Sequence, residues 1–265
     1  MTARDAAIAA LDVSVDGIDT SAATAAELFA VVDLLDGQPM LRRSLSDPSA
    51  TDVARADLAE RLFSKKVSEQ TLAVISVAVR SPWRSANAMV SGLERQGLRI
   101  VLRAARAAGE LEQVEQELFV LAVTVEQNAE LAATLRSHAF PLDGKRELLE
   151  RLVAGKTNPV TAQLASRAVR ARQRTFALTV ESYLEMAADL GGQKIARVTV
   201  AQPLDATQTA RLRAALIAQN EGAVTLQIRV DPAVLGGISV AIDDDVYEST
   251  VAARLEDARR QLINL

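Results

Sequence analysis

Cysteine is absent from this chain of 265 residues, and histidine occurs once. Without cysteine there can be no disulfide, no thiolate metal site and no thiol nucleophile. His138, standing alone, cannot build a metal cluster or a catalytic triad. It sits just before the Phe140-Pro141 break, where a surface loop is expected. Aromatic residues make up only 3% of the chain, so Ala, Leu and Val must do the packing. That favours close-packed helices over a ligand cavity lined with rings. A basic excess is also missing: the formal net charge is −4, which argues against a nucleic-acid partner. No apolar run nears the ~20 residues of a membrane-spanning helix. Met1 to Leu11 has neither the basic start nor the long apolar core of a signal peptide, so a soluble cytoplasmic protein is expected.

Phosphate-loop signatures are missing too. Neither G-x-x-x-x-G-K-[ST] nor G-x-G-x-x-G occurs, so Gly236-Gly237 and Gly191-Gly192 read as backbone devices, a turn and a hinge. Asp243-Asp244-Asp245 lies between alternating apolar runs, as a solvated hairpin tip requires, and lacks the converging oxygens of a Mg²⁺ site. No cofactor or metal is expected, and no constellation supports catalysis.

What is present is 49% hydrophobic residues, arranged in a repeat. Sliding the chain by ninety positions lays Glu27-Leu28-Phe29 on Glu117-Leu118-Phe119, and Leu58, Glu60, Arg61 and Leu62 on Leu148, Glu150, Arg151 and Leu152. Thr71 meets Thr161, and Ala78-Val79-Arg80 meets Ala168-Val169-Arg170, with no slip of register. A period this long exceeds that of ordinary solenoid repeats and indicates duplication of a domain.

In the second copy Leu111, Val114, Leu118, Leu121 and Val125 form the apolar stripe of a packed helix. Asn128 and Glu130 open the next helix, and Pro141-Leu142-Asp143 opens another that bears Leu148, Leu149 and Leu152. Thr161 begins a further one. A long helix from about Thr175 to Leu190 puts Phe176, Val180, Tyr183 and Ala187 on one face. Each copy thus reads as a bundle of five or six short helices.

Past Gly191-Gly192 the period changes to two. Ala196, Val198 and Val200 alternate, as do Val224, Leu226, Ile228 and Val230, and then Ile238, Val240 and Ile242. Asp205 with Gln208 forms a capping box for a helix carrying Leu212, Leu216 and Ile217. A last helix is expected to carry Val251, Leu255, Ala258 and Leu262. The expected fold is therefore mainly α with a small α+β C-terminal domain. Two tandem helical bundles, 1–100 and 101–188, are followed by a strand-helix-strand-strand-helix module over 189–265. The helical crossover predicts parallel pairing of the first two strands, and the short link predicts an antiparallel hairpin for the next two. Arg167, Arg170, Arg172 and Arg174 read as a solvated helix face or a docking site for an acidic partner. Trp83, after Ser81-Pro82, reads either as buried against the neighbouring copy or as an interface anchor.

The second bundle and the tail resemble a known family. The match runs from Ala104-Ala105-Arg106-Ala107-Ala108-Gly109 through Leu131, Leu135, Pro141, Lys145 and Leu152 to Arg174. It is densest in Val198, Ala201, Pro203-Leu204, Gln208, Leu212, Leu216 and the run V-D-P-A-V-L-G-G-I-S-V-A-I. Over about 101–265 the chain resembles the delta subunit of F-type ATP synthases, called in mitochondria the oligomycin sensitivity-conferring protein. The signature positions are Val230, Asp231, Gly236, Gly237, Val240, Ile242, Val251 and Leu255, all structural. Departures are Ala241 and Asp243 around Ile242, and Glu248-Ser249-Thr250 before the last helix. The first copy is an addition to the usual family plan. Similar enlarged forms occur in actinobacteria, some fused to a membrane-anchored b segment; none is seen here, so b is expected as a separate chain.

The resemblance implies a non-catalytic stator subunit at the cytoplasmic face of the membrane, linking the catalytic head to the peripheral stalk. The second bundle would hold the N-terminal helix of an alpha subunit in a groove, and the tail would engage the C-terminal region of subunit b. Contacts with these partners are expected at Leu111, Val114, Leu118, Arg170, Arg174 and Leu262. A rival reading is a helical regulator that binds a small molecule, with the tail as a dimerisation module. That rival requires a sizeable apolar cavity, whereas the stator requires an open apolar groove.

Overall fold

The computed structural model describes residues 3–137, 139–220, 222–232, 234, 237–242 and 245–248. The chain divides into two compact units, Met1–Leu111 and Glu112–Leu265. The first unit is helical: α1 (Ala3–Asp16), α2 (Ala22–Gly37), α3 (Pro39–Leu45), α4 (Asp52–Phe63), α5 (Glu69–Arg80) and α6 (Ala86–Ala107). The helices α7 (Leu111–Gln127), α8 (Ala129–Arg136), α9 (Leu142–Val153), α10 (Pro159–Ala168) and α11 (Phe176–Gly191) follow. Then come β1 (Lys194–Val200), α12 (Ala206–Asn220), β2 (Val224–Val230), β3 (Ile238–Ile242) and β4 (Asp245–Glu248).

The ninety-residue register is written into the helix bounds. Adding ninety to both ends of α4 gives both ends of α9, and α2, α3, α5 and α6 start within one residue of the places that α7, α8, α10 and α11 predict. The caps obey the same rule. Ser85 Oγ accepts from the Ala88 amide, and Thr175 Oγ1 accepts from the Leu178 amide. Ser68 and Asn158 cap α5 and α10 in the same way, each satisfying an amide that its helix leaves without an internal partner. The division expected near 100/101 falls inside α6, a continuous helix of 22 residues.

Sequence periodicity did not single out α1. Ion pairs hold it to α6: Asp12 accepts from Arg95 (2.9 Å) and Arg99 (3.2 Å), and Asp16 from Arg99 (2.8 Å) and Arg103 (2.6 Å). Acids spaced i, i+4 on one helix thus face arginines spaced i, i+4, i+8 on the other. Trp83 packs inside its own unit. Its Nε1 donates to the Ala78 carbonyl at 2.6 Å, and its ring lies against Gly92.

The small α+β module at the end is as expected in kind, but its strand pairing differs. The sheet order is β2-β1-β3-β4. Parallel pairing of β1 with β2 holds, from Lys194↔Val224 to Val200↔Val230. The predicted hairpin of β2 with β3 does not form. β3 crosses to the other edge of β1 and pairs with it antiparallel, Val198 opposite Val240. The link is too long for a tight turn. The Asp231 amide first extends the ladder to the Val200 carbonyl (2.8 Å), and Asp231-Pro232 then turns the chain away, the Val234 amide reaching the Asp231 carbonyl at 3.1 Å. Gly237, at φ +90°, completes the redirection in backbone space that other residues avoid. The hairpin lies instead between β3 and β4, closing on the rung Ile242↔Asp245. One sheet face is apolar, with Ala196, Val198, Val200, Val224, Leu226, Val240 and Ile242 packed with Leu216 of α12. Asp205 and Gln208 cap α12 reciprocally, at 2.9 and 2.7 Å, as the sequence predicts. The expected final helix with Val251, Leu255 and Leu262, together with His138, Gly236 and Asp243-Asp244, lies outside the described residues.

Candidate partner-binding site

The second unit carries an open trough along α7 and α11. At one end Val125, Ala132, Leu135, Phe176 and Ala177 line a hollow of about 360 Å³ between α7, α8 and α11. At the other, Phe119, Ala122, Val123, Ala177, Leu184 and the polar face of the sheet line one of about 300 Å³. The two hollows share Glu126, Ala177 and Arg229, so they adjoin at the Glu126–Arg229 ion pair, with apolar residues on either side. Both are half-open. That is the form of a surface groove.

Part of this lining differs between the two copies. At the positions matching Val123, Ala132 and Ala177, the first copy carries Asp33, Arg42 and Asn87. Small residues on α8 and α11 thus stand where the first copy has polar or longer side chains. Phe119 shows the same contrast. Its counterpart Phe29 is 6% exposed and lies against Gly97, whereas Phe119 is half-buried and contributes its ring to the trough.

Ion pairs tie the sheet to the helices. Arg197 of β1 meets Glu181 (2.8 Å) and Glu185 (3.2 Å) of α11, Arg229 of β2 meets Glu126 of α7, and Arg213 of α12 meets Glu112 of α7 at 3.0 Å. All are substantially exposed, so each contributes about 0–1 kcal/mol and sets register more than strength.

The predicted contact residues fall in different places. Val114 and Leu118 are fully buried and Leu111 nearly so, so these three face the interior in this structure. A helical stripe shows that a face is covered, and it cannot distinguish its own core from a partner. Arg174 is exposed, in a left-handed conformation at φ +77°, and Arg170 is half-buried. Leu262 lies outside the described residues. The basic segment is not a solvated helix face throughout: α10 ends at Ala168, and Arg167 is 7% exposed. Arg167, Arg172 and Arg170 surround Tyr183, whose hydroxyl burial pushes up to about 12 against their pull. Of the signature positions, Val240 and Ile242 lie in the sheet core, and Val230, Asp231 and Gly237 carry the crossover described above. The trough residues Ala132, Phe176 and Ala177 are not among the expected contacts. The signal available was the loss of polar side chains between matched positions of the two copies.

Among the described residues, no group of three or more His, Asp or Glu side chains is placed to hold a metal ion. No single helix among them is long and apolar enough to cross a membrane.

Residues 100–262 match the family described as ATP synthase delta (OSCP) subunit. The chain is 41% identical over 254 residues to an ATP synthase subunit delta of Nocardia farcinica, spanning 96% of this chain and 94% of the relative. It is 39% identical over 248 residues to that of Corynebacterium urealyticum, with coverage of 93% and 91%. A chain of the Toxoplasma gondii mitochondrial ATP synthase hexamer, solved by cryo-EM, is 19% identical with a TM-score of 0.39. It covers 63% of this chain and 94% of that one.

Proposed function

This chain belongs to the ATP synthase delta (OSCP) subunit family, and from that premise we propose how it grips its neighbours. It is a non-catalytic peripheral-stalk subunit. The trough on α7, α8 and α11 takes an amphipathic helix, the N-terminal segment of an alpha subunit of the head. The sheet module over 189–265 takes the C-terminal region of subunit b. The assembly holds the chain peripherally at the cytoplasmic face of the membrane. The first copy, with Asp33, Arg42 and Asn87 at the matching positions, is a further part of the connector.

The observation that carries this reading is the open trough, where Val123, Ala132 and Ala177 stand at positions that are Asp33, Arg42 and Asn87 in the first copy. Ala-rich close packing suits the task, because a tightly packed interior transmits force with little internal yielding. Resisting rotor torque also calls for slow dissociation, so buried areas of about 1,600 Å² or more are expected at each partner.

Site-directed cross-linking in the assembled, membrane-bound complex tests the assignment, and the absence of native cysteine makes it clean. Ala132→Cys on α8 is expected to cross-link to alpha, and Ala218→Cys on α12 to b. Cross-links to the opposite partners, or to neither, would overturn it.

A further inference from the structure

Glu115 lies in the seam where α7 meets the C-terminal sheet. It is 4% exposed, in a gap of about 10 Å³ bounded by Phe119, Leu184, Ile195 and Gln227. A space that small is at the lower limit for a single water. Among the described residues no donor is hydrogen-bonded to its carboxyl. The charged groups of the packed elements pair with one another, the Glu112–Arg213 pair at the edge of the same gap. Glu112, one turn earlier on α7, meets Arg213 of α12; Glu181 and Glu185 of α11 meet Arg197 of β1; Glu126 meets Arg229 of β2. An ionised Glu115 would therefore sit desolvated, without a counter-ion, and repelled by Glu112. The bundle itself does not require an acid here. The matching residue of the first copy is Ala25, fully buried. A glycine pair precedes β1, and Gly192, left-handed at φ +64°, caps α11, so the sheet module follows the helices after a two-residue link.

We propose that this seam is a proton-operated latch. With Glu115 neutral the sheet module is held on α7 and α11, and loss of the proton loosens that hold. The inference does not depend on which partner occupies the trough.

Burial first, and Glu112 second, push the carboxyl from its ordinary 4.5 up to about 7 when the seam is closed. Opening the seam returns it to water and to its ordinary value. The closed form therefore binds the proton more tightly. Its advantage is complete below pH 4.5, falls up to tenfold per pH unit above that, and is exhausted once pH passes about 7.

Thiol labelling of Gln227→Cys, a buried position bounding the gap in a chain without other cysteines, reads the closed-to-open ratio in the full chain. Comparing this chain with and without Glu115→Gln at the same pH cancels the intrinsic rates. Between pH 5 and pH 8, protection with Glu115 present is expected to fall by roughly fifty- to a hundredfold relative to the Glu115→Gln form. A ratio that stays constant over this range would overturn the latch. Carboxyl-carbon NMR of the wild-type chain needs no variant to fold. A Glu115 midpoint near 7 is expected, and titration in the ordinary carboxylate range would contradict the proposal.

Discussion

Glu27 and Glu117 stand ninety positions apart and make the same bonds, each within its own bundle. Glu27 Oε2 accepts from the Ser68 amide (2.8 Å), the Ser68 hydroxyl (2.7 Å) and the Thr71 hydroxyl (2.5 Å). Glu117 Oε2 accepts from the Asn158 amide (2.8 Å) and the Thr161 hydroxyl (2.6 Å). In both copies a carboxylate on one helix clamps the start of the helix 41 to 44 residues later. Thr71 and Thr161 are fully buried, so neither hydroxyl has water as an alternative partner.

Removing either clamp should be costly. Glu27→Ala and Glu117→Ala each leave a buried threonine hydroxyl without its acceptor, and each is expected to lose about 1.5–3 kcal/mol. Calorimetric melting checks this, with the first unit losing more to Glu27→Ala and the second more to Glu117→Ala.

The clamps also set a pH dependence. Hydrogen bonds from Thr71 and Ser68 hold the Glu27 carboxyl below its usual range. Burial raises that of Glu117, but bonds from Thr161, Gln113 and Asn158 outweigh it. A lowered folded value gives stability that is complete above pH 4.5 and lost as pH falls through the folded value. The melting temperature of Glu27→Gln/Glu117→Gln is therefore expected to fall less steeply than wild type between pH 5 and 3.

Gly97 is a second point of contrast. A Cβ there would stand 2.6 Å from Phe29 Cε1, inside a buried contact. Gly97→Ala is expected to destabilise the first unit by about 1–3 kcal/mol, because overpacking outweighs the gain in helix propensity. The matching Ala187 is accommodated in the second unit, where Phe119 turns toward the trough. Ala187→Gly should cost only about 1 kcal/mol there, and urea titration separates the two outcomes.

Filling the trough should remove binding and spare the fold. Ala132→Arg puts into α8 the residue that the first copy has at Arg42. Calorimetry is expected to show at least a tenfold loss of affinity for the alpha N-terminal segment, with melting shifted by less than about 0.5 kcal/mol in equivalent stability.

Much of this was legible in the sequence. Helix bounds followed the apolar stripes because Val114, Leu118, Phe176 and Val180 each face a core, and because Asn128, Thr175 and Asp205 are true caps. The pairing of β3 was not legible. Alternation fixes which face of a strand is buried and leaves open which neighbour it joins, and here the Asp231-Pro232 turn decides that. The trough was likewise hidden. Leu111 and Ala132 are both apolar, and only packing shows that Leu111 is covered while Ala132 lines an open floor. Glu115 looked like any acid on an amphipathic helix, since its burial depends on a sheet that begins almost eighty residues later.

The central claim is that two separate surfaces of one unreactive bracket hold two partners at once. Titration calorimetry of the full chain with the alpha N-terminal segment, with and without a saturating b C-terminal segment, tests it most directly. One-to-one binding with an affinity unchanged within about twofold by the b segment is the predicted result. Mutual displacement of the two segments, or failure of either to bind, would contradict it.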